Sequence, residues 1–264
     1  MTPLLSVIGG SLAGWVASAG TVAGEGVSAV HGINGYSAAL FLHVLLFVYW
    51  LGGDLGVYYA SRYILKPELA PESRAVAAKI MHGIDLAPRI CLVLFVPSGV
   101  TLMYYGPLGD EFFAPGWLLI LMWVGFLGWL TVAVLDYRGG DTAFGRALQV
   151  SDIWVRYALV SVGLAVAAYT IIVSEPFGVD TNPKWLGAKL AAYSLCVLSG
   201  VLIRRELRPF GPAFGQLMTS GSTPEVEKAI VGSIRRCEPY VYGIWGLVLL
   251  AAVLGVVKPG STAF

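Results

Sequence analysis

The chain has 264 residues, of which 57% are hydrophobic and only 12% are charged, and its formal net charge is +1. Soluble globular domains carry about 25% charged residues, so this composition excludes a soluble enzyme, a nucleic-acid-binding protein and a disordered chain. The mean hydropathy of +0.75 indicates a multi-pass membrane protein. The three cysteines form no CxxC pair, which argues against a disulfide framework or a zinc site.

The first apolar run along the chain, Leu4–Ala19, is short and rich in small residues. Its end, Ala17-Ser18-Ala19, is similar to a signal-peptide cleavage site, but no Lys or Arg precedes the apolar part. We therefore expect a retained helix whose glycines allow close packing against another helix.

Six longer apolar runs follow, each close to the roughly 20 residues that a helix needs to cross a bilayer. They are Tyr36–Ala60, Leu86–Tyr105, Trp117–Leu135, Ile153–Val173, Trp185–Ile203 and Tyr240–Val257. The sequence thus predicts an all-α, polytopic membrane bundle of six strong spans plus the weaker N-terminal span. Because no connecting segment is long enough for a soluble domain, we expect residues 1–264 to form one transmembrane domain.

The basic residues are concentrated in three of the connecting segments, residues 61–79, 137–156 and 204–238, which hold thirteen of the seventeen. The segments on the other side, 21–35, 106–116 and 174–184, contain Lys184 as their one basic residue. The positive-inside rule therefore places the three basic segments in the cytoplasm. It predicts three cytoplasmically closed hairpins in the inner membrane, with the C-terminus outside.

The last basic segment contains a helical pattern after Thr223-Pro224-Glu225. Its apolar residues Val226, Ile230, Val231 and Ile234 recur on one face. Such a stripe predicts a helix that lies on the membrane surface.

Ionisable groups inside a bilayer cost roughly 2.5–3.5 kcal/mol each on insertion scales, so each one needs a partner or a function. From the 1.5 Å rise per residue, Asp54 falls level with Arg89, and Asp85 lies one turn further towards the cytoplasm. These three residues predict either an ion pair that joins two neighbouring helices or a proton relay. The Asp85/Arg89 spacing recurs at Asp152/Arg156 as a weak internal repeat.

A second layer lies on the outer side, about 6–10 Å from the helix centres. It contains His43, Met103, Met122 and Lys189. A neutral imidazole binds haem iron or copper, a thioether can be a second ligand, and a lysine can meet a haem propionate. The alternative is structural, with His43 hydrogen-bonded inside the bundle and the methionines filling space.

The two other histidines are weaker candidates. His82 lies some 20 Å in depth from His43, so the two residues cannot bind one haem, and a surface position is expected. His31 lies in the outer glycine-rich segment, where it could fold back as a lid or a ligand.

The segment that begins at His43 has the form His-x6-Trp-x-Gly-Gly, in which Trp50, Gly52 and Gly53 complete the pattern. This helix resembles the first helix of the CopD-like copper-resistance membrane proteins and the corresponding helix of the HemJ-type protoporphyrinogen oxidases. The second resemblance implies a b-type haem at His43, and the first implies a copper contact. His43 and Trp50 share one helix face, and the two glycines permit close approach by a helix or a flat macrocycle.

Three functions remain open at this point. The first is a membrane protein that binds haem b and moves electrons, with a role as a haem-dependent oxidoreductase acting with quinone or other redox subunits. The second is a CopD-like copper permease, and the third is an accessory subunit of a larger complex or an oligomer in the lipid bilayer. Hydrolase and nucleotide-binding motifs such as Gly-x-Ser-x-Gly, HExxH and a P-loop are absent.

Overall fold

The structure is a computed structural model that describes residues 32–106, 108–109, 116–138 and 142–262. The described chain contains seven α-helices: α1 (Gly35–Ile64), α2 (Pro71–Tyr104), α3 (Trp117–Arg138), α4 (Ala143–Ile172), α5 (Lys184–Glu206), α6 (Phe210–Ser220) and α7 (Pro224–Val257). A 3-10 turn, Pro176–Gly178, lies between α4 and α5. The expected N-terminal span Leu4–Ala19 and the candidate ligand His31 lie outside the described residues.

Six of these helices, all except α6, contain a segment long and apolar enough to cross a membrane. The predicted all-α fold with six strong spans is therefore confirmed. The helices extend well beyond several of the apolar runs: α2 begins at Pro71 rather than near Leu86, and α7 begins at Pro224 rather than near Tyr240. Hydropathy marks only the membrane-compatible part, whereas Ala, Glu, Lys and Arg also favour helix in the polar extensions.

The six long helices close into a ring. Each packs against the next in chain order, and α7 returns to contact α1. Their main core lies inside the ring, where the buried residues include Trp50, Trp129 and Val197. The Tyr193 hydroxyl crosses this interior and donates a 3.0 Å hydrogen bond to the carbonyl of Leu92. We call the end of the ring that carries the three basic segments the basic end, and the other the opposite end.

A second core lies at the basic end, where α6 packs against α7. Val226, Ile230 and Ile234 of α7 are buried there against Leu217 of α6 and Ala77 of α2. The prediction that this stripe lies on the membrane surface is therefore wrong. The stripe is covered by protein, and its helix continues through Pro239 into the last span.

A buried ion pair fixes this second core. Arg74 is only 1% exposed, and its Nη1 and Nη2 donate to the two carboxylate oxygens of Glu227 at 2.6 and 2.9 Å. Its Nε donates to the carbonyl of Ile64 at the end of α1. One guanidinium therefore holds α1, α2 and α7 together at the basic end.

Candidate functional site

A cavity of about 810 Å³ opens inside the half of the ring that is nearer the opposite end. All six long helices contribute to its wall. Its volume lies within the 300–1,000 Å³ range typical of small-molecule sites, and its wall is mostly apolar, as in such sites. The described lining includes His43, Met103, Met122 and Lys189, so the four candidate residues of the outer layer meet in one cavity.

The environment of His43 is built by α2. Nδ1 of His43 lies 2.9 Å from the hydroxyl oxygen of Ser98, which is fully buried. The Ser98 hydroxyl donates its single proton to the carbonyl of Phe95 at 3.0 Å, so its oxygen accepts from His43 Nδ1–H. With that proton donated to Phe95, the network leaves the lone pair on Nε2, which is one of the two ring nitrogens through which a neutral histidine binds a metal.

Packing fixes the orientation of the same ring. The imidazole of His43 lies against Phe95, with the ring centroids 4.2 Å apart. Gly99 of α2 lies against the same ring, and a Cβ built on it would come to 3.2 Å from Cε1, which is tighter than nine in ten real Cβ contacts. The absence of a side chain at Gly99 therefore favours this close approach of α2 to the ring.

Lys189 gives the cavity a positive charge. Nζ lies 5.7 Å from the centroid of the Trp185 ring, which is within cation–π range. A Cβ on Gly255 would come within 2.6 Å of Nζ, so this glycine makes room for the ammonium. In the described chain, no carboxylate lies within ion-pair distance of Lys189.

A second lysine, Lys258, lies at the rim of the cavity just after α7 ends. Burial lowers the pKa of its ammonium. The described lining of the cavity contains lysines and a histidine but no acidic residue. An anionic ligand therefore fits this lining better than a cationic one.

The other residues of the His-x6-Trp-x-Gly-Gly pattern have distinct surroundings. Trp50 is 3% exposed, lines the floor of the cavity and makes an edge-to-face contact with Phe95. Gly53 faces α2, where a Cβ would collide with the ring of Pro88 at 2.7 Å. Gly52 points into open space, so the expected close approach of a neighbour holds for Gly53 alone.

The ion pair that Arg89 forms differs from the predicted pair with Asp54. Arg89 binds Asp85 on its own helix, with Nε and Nη2 at 2.7 and 2.5 Å from Oδ2. The expected partner, Asp54, makes no ion pair within the described chain. Equal depth on two helices does not ensure contact, whereas residues four apart on one helix face are always neighbours.

A buried charge network was missed by sequence reasoning. Asp152 is completely buried, and its Oδ2 accepts from Arg156 at 2.8 Å and lies 3.1 Å from Arg204 Nη1. Its Oδ1 accepts from Trp129 Nε1 at 2.8 Å, and Arg204 also binds Asp136. The repeated Asp-x-x-x-Arg spacing was the one signal of this network along the sequence.

His82 lies outside the cavity, as its depth predicted. It is exposed at the basic end and stacks on the ring of Tyr137 with a centroid distance of 4.4 Å. The Tyr137 hydroxyl donates to the backbone carbonyl of His82. These contacts tie α2 to α3 and give His82 a surface role.

Within the described residues, no three His, Cys, Asp or Glu side chains form a group that could hold a metal ion. No family model, curated protein or solved structure matches the chain. The cavity and the side chains of its wall are therefore the features that indicate a function.

Proposed function

We propose that this chain is an integral membrane protein that binds haem b in the cavity and transfers electrons through it. The observation that carries the proposal is His43, whose Nδ1 is bonded to Ser98 and whose Nε2 is left with a lone pair on the wall of an 810 Å³ apolar cavity. In metal-binding histidines, the ring nitrogen that does not bind the metal is typically held by a hydrogen bond of this kind.

The residues of the wall match the chemical demands of a haem. His43 would bind the haem iron, and Met103 or Met122 would provide a second ligand, since both methionines line the same cavity. Lys189 would meet a propionate, and the apolar wall would cover the macrocycle. When bound, the haem supplies one-electron chemistry, and the protein holds it and tunes its potential through the ligands and their hydrogen bonds.

Copper is the weaker candidate for the same cavity. His43, Met103 and Met122 are ligand types that suit Cu(I). A single ion, however, does not need a cavity of 810 Å³, and the cationic Lys189 in the wall opposes a bound cation. The resemblance of the His-x6-Trp-x-Gly-Gly helix to CopD-like and HemJ-type proteins is compatible with either group. A larger anionic ligand explains both the volume and the lysine.

The distribution of basic residues supports an orientation for this function. With the basic end in the cytoplasm, the cavity lies in the outer half of the inner membrane. A haem at that depth would exchange electrons with quinone in the bilayer or with another membrane subunit. The oxidoreductase role and these partners are part of the proposal.

Absorption spectra of the purified protein test the proposal. The full chain, produced in haem-sufficient cells and purified in detergent, is expected to show a Soret band that shifts on reduction. His43→Ala should abolish the band because it removes the imidazole that would bind the haem iron. The matched control is His82→Ala, which removes the exposed histidine of the basic end and should leave the spectrum unchanged.

Two outcomes would contradict the haem proposal. One is a folded, colourless protein that takes up no added haem. The other is a His43→Ala variant that keeps the wild-type spectrum. A colourless protein that retains stoichiometric copper, and loses it on His43→Ala, would favour the copper permease instead.

A further inference from the structure

Asp54 differs from the other aspartates of the described spanning helices. Asp85, Asp136 and Asp152 each have an arginine within 3.1 Å. Asp54 has no basic group within ion-pair distance in the described chain. Its side chain therefore meets the cost of an ionised group in the membrane without a counter-charge.

The surroundings of Asp54 include residues of α1, α2, α5 and α7. Trp50 lies one turn away on α1. On α2, Pro88 packs against Gly53, and Asp85 and Cys91 lie about one turn to either side of Pro88. Cys196 of α5 is buried in the same core as Trp50 and Cys91. On α7, the nearest polar groups are engaged elsewhere: Glu238 binds Arg62 and Tyr242 bonds to Tyr58.

This environment is unsuited to a metal cation. Hard cations such as Na⁺, Mg²⁺ and Ca²⁺ need several oxygen ligands, and the side chains of Trp50 and Pro88 beside this position provide none. No group of three metal-binding side chains includes Asp54 in the described chain. A proton needs only the carboxylate itself and removes the charge that burial penalises.

The Asp85–Arg89 pair lies at about the depth of Asp54, because Pro88 packs against Gly53. The side chains of Asp85 and Arg89 are 30% and 34% exposed, so this pair is not enclosed inside the ring. Beyond Asp54, Trp50 and Cys196 line the floor of the cavity. Asp54 thus lies between a partly exposed ion pair and the ligand cavity.

We propose that Asp54 is a proton-binding site that is loaded from the basic end past the Asp85–Arg89 pair, directly beneath the cavity. The step is a simple transfer. A hydronium ion transfers its proton: one of its O–H bonds breaks, a new O–H bond forms on the Asp54 carboxylate, and the products are water and a neutral carboxylic acid, with no change of oxidation state. The site does not depend on which ligand occupies the cavity.

Dicyclohexylcarbodiimide tests the proposal because it modifies protonated carboxyl groups in apolar surroundings. The full chain in liposomes is treated with the reagent, digested and mapped by mass spectrometry. We expect an adduct on Asp54 and none on Asp136 or Asp152, which serve as paired carboxyl groups in the same digest. In oriented liposomes, labelling should fall when the pH is raised at the basic end and not when it is raised at the opposite end.

Asp54→Asn should remove the labelled peptide, and Asp54→Glu should restore it. As a second readout, infrared spectra should show a protonated-carboxyl band that is missing in Asp54→Asn, which keeps the test independent of the carbodiimide. Labelling of Asp152 in place of Asp54, or labelling of Asp54 that responds only to the opposite end, would overturn the inference. Neither readout involves haem. A negative result for Asp54 would therefore leave the haem proposal unaffected, and a protein without haem would leave this test of Asp54 unaffected.

Discussion

The hydroxyl of Ser98 decides which nitrogen of His43 is available to a ligand. Its proton goes to the carbonyl of Phe95, and its oxygen holds Nδ1–H at 2.9 Å. Ser98 is followed by Gly99, which lets α2 pack against the imidazole. Two consecutive residues therefore set both the tautomer and the position of the ring.

The first prediction at this scale concerns Ser98→Ala. The substitution removes the acceptor of Nδ1–H and frees the ring to change tautomer, so we expect haem affinity to fall by about 10–100-fold. Titration of the apoprotein with haemin measures the change. Ser199→Ala is the matched control, because the half-buried Ser199 on α5 donates its hydrogen bond to Leu195 of its own helix. Equal affinities for the two variants would contradict the role given to Ser98.

At the scale of elements, Asp152 joins three helices. Its two oxygens bind Trp129 of α3, Arg156 of α4 and Arg204 of α5. All these groups lie towards the basic end, beneath the cavity. The network therefore holds the lower part of α3, α4 and α5 in fixed register while the upper part of the ring remains open around the cavity.

We expect Asp152→Asn to destabilise the protein by about 3–5 kcal/mol, because it leaves the buried Arg156 without its carboxylate partner, whereas Arg204 keeps Asp136. Thermal unfolding in detergent measures this loss. Glu206→Gln is the control, since Glu206 pairs with Arg236 at a site where the arginine is 52% exposed. Exposed pairs contribute about 0–1 kcal/mol. Similar losses for both variants would show that the Asp152 network is no stronger than a surface pair.

At the scale of the whole molecule, the charge distribution predicts how the ring sits in the membrane. Lys66→Cys places a thiol in the basic segment between α1 and α2, and Asp180→Cys places one between α4 and α5. In intact cells, a membrane-impermeant maleimide should label Cys at position 180 and not at position 66. Chains in which all native cysteines are replaced by serine provide the background. Labelling at position 66 and not at position 180 would show the opposite orientation, with the cavity on the cytoplasmic side.

The sequence was informative where one helix at a time carries the signal. Apolar runs predicted the six spans, and the rise per residue predicted that His43 and Lys189 lie at similar depth. It failed where partners come from different helices. Depth did not reveal that Arg89 turns to Asp85, because rotation about the helix axis was unknown. Nor could a single run show that α6 would cover Ile230, since that requires the packing of α6 on α7.

The closure of the ring by its last helix has a consequence for biosynthesis. Leu247, Val248, Ala251 and Gly255 of α7 belong to the cavity wall. During synthesis, α1 to α5 leave the ribosome before this wall exists. Lys189 then lacks its neighbour Gly255. A ligand that needs the complete cavity therefore binds only after α7 has been synthesised and inserted, and a chain truncated before α7 would be inserted into the membrane without a complete site.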